Sequence, residues 1–143
     1  MKKTARVLAV VLSLLMVLVM LAACTKGVAR EGLWKDATYT SDKTFGKGAT
    51  TITFVVSAEE KSVTFTIKTD KEMLGDALME VGLIAGAVSS YGLMVTKVNG
   101  MTADWDKDQA YWALYIGSDY ATTGVDSTPV TAGTQYGFTY TKG

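Results

Sequence analysis

The chain has 143 residues with 14 basic and 14 acidic side chains, no histidine and a single cysteine. That inventory excludes zinc sites built on His and Cys, Ser-His-Asp and Cys-His triads, and structural intrachain disulfides. The length is that of one domain, and a formal charge of zero leaves no basic excess to neutralise phosphates, so nucleic acid is not an expected partner.

Lys2, Lys3 and Arg6 precede an apolar run over 7–20 that ends in Leu21-Ala22-Ala23-Cys24. The layout is that of a secretory leader, and the run is too short and too promptly followed by Lys26 and Arg30 to span a bilayer. The four residues Leu21 to Cys24 resemble the bacterial lipobox, in which the cysteine is diacylated and becomes the mature N-terminus. Residues 1–23 are therefore expected to be a lipoprotein signal peptide, and 24–33 a tether behind lipidated Cys24. Loss of Lys2, Lys3 and Arg6 leaves an acidic excess of three, so the anchor must be the lipid rather than charge.

Folded structure is expected from Trp34, over 34–143. The stretches 34–40 and 45–48 hold a strand and a turn. Residues 50–57 alternate Ile52, Phe54 and Val56 against Thr51 and Thr53, the period of a half-buried strand. Glu59-Glu60-Lys61 turns the chain, and 62–68 repeats the alternation with Val63, Phe65 and Ile67, which completes an antiparallel hairpin. Apolar spacing then shifts to three and four at Leu74, Ala77, Leu78, Val81 and Ala85. With Thr69 and Glu72 placed as a capping box, it predicts a helix over 71–85 ending at Gly86 and at Ser89-Ser90-Tyr91-Gly92. Strands follow over 93–98, 111–116 and 136–140, with Asn99-Gly100 as a turn. The order predicts an α+β domain, a β-grasp-like mixed sheet with one helix packed on one face.

Little in the chain promises catalysis. Asp104, Asp106 and Asp108 have the spacing of half a calcium loop, but Gln109 and Tyr115 stand where the glycine and the closing glutamate belong, so a solvated acidic loop and no metal are expected. The carboxylates Asp104, Asp106, Asp108, Asp119 and Asp126 lie in turn-like surroundings that do not raise a pKa for acid catalysis, and no glycine-rich phosphate loop occurs. The protein is not expected to be an enzyme. Aromatics carry the remaining signal. Tyr111, Ala113 and Tyr115 lie on one side of their strand and Trp112, Leu114 and Ile116 on the other, while Tyr91, Trp105 and Tyr120 sit in loops around the same end. Trp112 and Phe138 read as core. Loop aromatics beside an open sheet face read as a binding surface.

The blocks 69–78, 91–95, 98–100, 111–115 and 123–126, together with 32–39, resemble the transcobalamin C-terminal-like domain known as DUF4430, found in lipoproteins of Gram-positive bacteria. In that family a small β-rich domain closes over one face of cobalamin while a separate helical domain holds the other. The resemblance implies a membrane-anchored, extracellular, lipid-tethered protein that binds a small ligand without catalysis. A corrinoid is the favoured ligand and the only bound group expected, and a vitamin transporter is the implied membrane partner. Tyr91, Asn99, Trp105, Tyr111, Tyr115 and Tyr120 are the candidate ligand contacts, and Cys24 the lipidation site. The alternative is a surface module for adhesion or protein interaction through an exposed strand edge.

Overall fold

The computed structural model describes residues 27–143. The expected signal peptide and lipidation site, Cys24, lie outside the described residues. The stretch expected to be tether is docked from Val28 onward: the Val28 N–H donates to Thr40 O at 2.6 Å, and the Arg30 guanidinium to Ala37 O at 2.7 Å. A 3-10 turn over Gly32–Asp36 stands where a strand was expected, and it buries Trp34, whose indole N–H donates to Ala58 O at 2.9 Å.

The domain is α+β, mostly sheet. β1 (Lys43–Gly46) runs parallel to β3 (Lys61–Thr69), and β2 (Thr50–Ala58) pairs antiparallel with β3 in the expected hairpin. Register sets Ile52 against Ile67, Phe54 against Phe65 and Val56 against Val63, and all six are buried. The period-2 pattern thus fixes the inner face, because a slip of one residue would turn every one of them outward. Glu59 and Glu60 both adopt positive φ, at 52° and 63°, as a two-residue type I′ hairpin turn requires. β9 (Gln135–Lys142) lies parallel to β2, β7 (Ala110–Ile116) antiparallel to β9, and the two-residue β8 (Asp119–Tyr120) against the end of β7. The resulting order is β1-β3-β2-β9-β7-β8.

The helix is shorter than its apolar spacing predicts. α1 spans only Leu74–Glu80, and Thr69 belongs to β3, its hydroxyl accepting the Lys71 N–H at 3.0 Å in a turn rather than capping the helix. Gly82 ends α1 at φ +72°, donating to Met79 O at 3.0 Å, while Leu83 donates to Leu78 O at 3.0 Å. These two bonds make a Schellman cap, with Leu78 and Leu83 both buried across it. Val81 is the C-cap of α1, and Ala85, which keeps the helical spacing, belongs instead to β4 (Ile84–Ser89). β4 pairs with β5 (Gly92–Val98), and β5 with the two-residue β6 (Met101–Thr102), to make a second sheet of order β4-β5-β6. Two sheets therefore replace the single β-grasp-like sheet. Leu74, Leu78, Leu83, Ile84, Val98 and Met101 close over the inner face of the large sheet in one core.

Candidate functional site

The two sheets leave strand edges facing each other. β8 pairs with β7 only at Tyr115 and Ile116, and β6 pairs with β5 only at Lys97 and Val98. Beyond these pairs lies an open cleft of ≈ 410 Å³, walled by Leu93, Met94 and Val95 on β5 and by Tyr111, Trp112 and Leu114 on β7. Successive residues of a strand point to opposite faces, so their joint presence in the lining means that the cleft runs along strand edges. Phe138, Tyr120, Trp105, Ala121 and residues 123–125 complete it.

Local structure positions each wall. α2 (Trp105–Asp108) is a short helical turn where a loop was expected, and Asp104 caps it: its carboxylate accepts the N–H of Asp106 at 2.9 Å and of Lys107 at 3.1 Å. That turn sets the Trp105 ring 6.3 Å from the Tyr111 ring, and Trp105 remains 57% exposed at the cleft's rim. On the opposite wall the Asp126 carboxylate accepts the Leu93 N–H at 2.7 Å, tying β5 to the 3-10 turn over Val125–Ser127. Desolvation, and then the neighbouring Tyr120, holds the Tyr111 hydroxyl above the usual phenol range. Trp112 is buried, and its indole N–H has no hydrogen-bond partner among the described residues. An unmet buried donor costs about 1–3 kcal/mol.

Of the six candidate contacts, Trp105, Tyr111 and Tyr120 line this cleft. Tyr115 is not part of its lining; it packs edge-on against Tyr120 at 5.7 Å and so supports a ring that is. Tyr91 is 98% exposed in the β4–β5 turn, outside the cleft. Asn99 is fully buried elsewhere, bonded to the Tyr39 backbone. Residues 93–95, Trp112, Leu114, Ala121, residues 123–125 and Phe138 enter the site without having been candidates. Trp112 and Phe138 are core residues as expected, yet each also shows a side to the cleft, and no short-range pattern distinguishes such a residue from an enclosed one.

Among the described residues, no group of three or more His, Cys, Asp and Glu side chains is placed to hold a metal ion, and no helix is long and apolar enough to cross a membrane. The arrangement offers an apolar, aromatic trough along two strand edges, on which the Leu93 N–H already donates to Asp126 and the Leu114 C=O already accepts from Ala121 at 2.9 Å.

Two packed sheets with such a trough define a small α+β domain whose relatives are visible in structure. A protein of Ruminococcus gnavus ATCC 29149, described as a candidate metal binding protein, is 33% identical, with a TM-score of 0.63 over 66% of this chain and 98% of that one. The chain belongs to the family of that protein. Haptocorrin in complex with Cbi shares the fold at a TM-score of 0.57 and 17% identity, over 68% of this chain and 26% of haptocorrin, so the chain spans about a quarter of haptocorrin's length. No family model and no curated protein matches the chain.

Proposed function

We propose that this protein is a lipid-anchored, extracellular member of the DUF4430 group that binds a flat, amide-fringed small molecule in the β5–β7 cleft without turning it over. A corrinoid is the favoured ligand and a vitamin transporter the recipient. The observation that carries the reading is the convergence of Trp105, Tyr111, Tyr120 and Trp112 on one open apolar trough. Aromatic rings give a flat ligand contact area at low entropic cost. The fold shared with haptocorrin, whose described complex is with Cbi, supports the same reading.

A trough of this size covers only part of a corrinoid. Affinity is therefore expected to be about micromolar. Calorimetry and absorbance titration with cobinamide and with cobalamin should show saturable binding, weakened about tenfold by Trp105→Ala and by Tyr120→Ala, each of which removes one flat contact. Tyr91→Ala should leave affinity unchanged. No heat and no spectral change with millimolar corrinoid would refute the ligand.

Anchoring rests on Cys24. Cys24→Ser should leave the precursor uncleaved or release the protein to the medium, read by fractionation and intact mass. A Cys24→Ser protein that still needs detergent for extraction and is still processed would refute the anchor.

A further inference from the structure

Two sheets have four terminal strands, and three of them are blunted. β6 and β8 are two residues long, and β1 has four residues with Lys43 at one end and Gly46 at φ +83° at the other. Short edges, charges and kinks of this kind keep strands from pairing with other chains. β4 has none of these. Its six residues, Ile84–Ser89, carry no charge and no proline, and the irregularity in its pairing falls on β5, where Ala85 meets Lys97 and Gly86 meets Val95, leaving Thr96 as the extra residue. From Ala85 to Ser89 every residue of β4 is exposed, and Val88 is 85% exposed.

We infer that β4 is a self-pairing edge, and that two copies of this chain join antiparallel through it into one continuous six-stranded sheet. The exposed stretch is self-complementary about Ala87. A two-fold axis there pairs Ala87 with its own counterpart, Gly86 with the partner's Val88, and Ala85 with the partner's Ser89. The largest side chain of the edge thus meets the residue with none, twice, and no charge is brought near another. A strand of another protein would need its own small-large pattern to match; a second copy has it by symmetry, and an isologous contact closes after one pairing.

The geometry also gives the dimer a consequence. Val88 is paired with Leu93 and Gly86 with Val95 within each chain, so these residues share one face of the small sheet. The two-fold axis is perpendicular to an antiparallel sheet, so this face lies on the same side in both copies. Leu93 and Val95 line the cleft. Met94 lines the same cleft from the other face, so the cleft lies along the β5 edge that faces away from β4, and dimerisation sets the two clefts at opposite ends of the shared sheet with the two Val88 side chains at its centre.

The test uses the full chain with Cys24→Ser, so that any added thiol is unique. In an antiparallel pair, directly opposed Cα atoms are about 4.5–5.5 Å apart, within the ~4.4–6.8 Å that a disulfide spans. Ala87→Cys should give a disulfide-linked dimer under mild oxidation, whereas Ala85→Cys should not, because its own counterpart lies four residues along, at about 13 Å. Sedimentation should show reversible dimers with a Kd of about 10–100 μM, the weak end for so small an interface. Val88→Lys should raise that Kd at least ~10-fold with an unchanged far-UV spectrum, since an edge lysine blocks strand addition. A monomer at several hundred micromolar, or equal cross-linking at positions 85 and 87, overturns the proposal. The first result would leave the edge for a strand of another protein.

Discussion

Phe65→Ala is expected to lower the unfolding free energy by about 3–5 kcal/mol, the range for deleting a fully enclosed core aromatic. Phe65 sits mid-strand in β3, fully buried, opposite Phe54 across the hairpin. Its ring lies 5.6 Å from that of Phe45 and 5.9 Å from that of Tyr39, so one side chain joins β1, the 38–39 segment and the central hairpin. Neither neighbour can collapse into the space left by the ring: Phe45 is on a strand held parallel to β3, and Tyr39 is held by Asn99 through both its backbone groups. The cavity therefore persists and its cost adds to the lost transfer energy. Urea unfolding of both proteins checks this. A loss under 1.5 kcal/mol would mean that the site collapses and that the aromatic cluster contributes little.

Legibility in the sequence followed the range of the interactions. The β2–β3 hairpin was readable because alternation between Ile52, Phe54 and Val56 and Val63, Phe65 and Ile67 is local and its turn is two residues long. The end of α1 was misplaced because Val81 and Ala85 keep helical spacing past Gly82, whose positive φ decides the matter. β4 was missed for a related reason. Ala85, Gly86 and Ala87 are small and exposed on both sides of the strand, so no apolar period marks them. The cleft was half legible. Rings outside the core could be suspected of binding, and Trp105, Tyr111 and Tyr120 do meet. That they meet over strand edges depends on β6 and β8 being only two residues long, and on β5 lying beside β7, both of which are settled by tertiary packing rather than by local pattern.

Asn99 shows how a turn residue can be chosen for its side chain as well as its backbone, and Asn99→Ala is expected to cost about 2–3 kcal/mol of stability with no direct effect on ligand affinity. Asn99 and Gly100 have φ of +50° and +81° in the β5–β6 turn, where an Asn-Gly pair is favoured. The glycine cannot be replaced, since a Cβ there would stand 2.6 Å from Asp36 O and 2.7 Å from Thr38 Oγ1. Asn99 could adopt the same backbone as many residues do at modest cost, but its amide does more. Oδ1 accepts the Tyr39 N–H at 2.9 Å, Nδ2 donates to Tyr39 O at 2.7 Å, and its own backbone accepts from Thr38 and donates to Leu83 O, both at 2.8 Å. The residue thus joins the N-terminal segment to the start of the small sheet, and alanine would strand a donor and an acceptor on Tyr39. Asn99→Gly separates the two contributions: it relieves the positive φ but loses the same two bonds, so it should recover only about 1 kcal/mol relative to alanine. Hydrogen exchange at the Tyr39 amide should speed up in both variants. If instead both variants keep wild-type stability and lose corrinoid binding, Asn99 is a ligand contact and the bracket around Tyr39 is incidental.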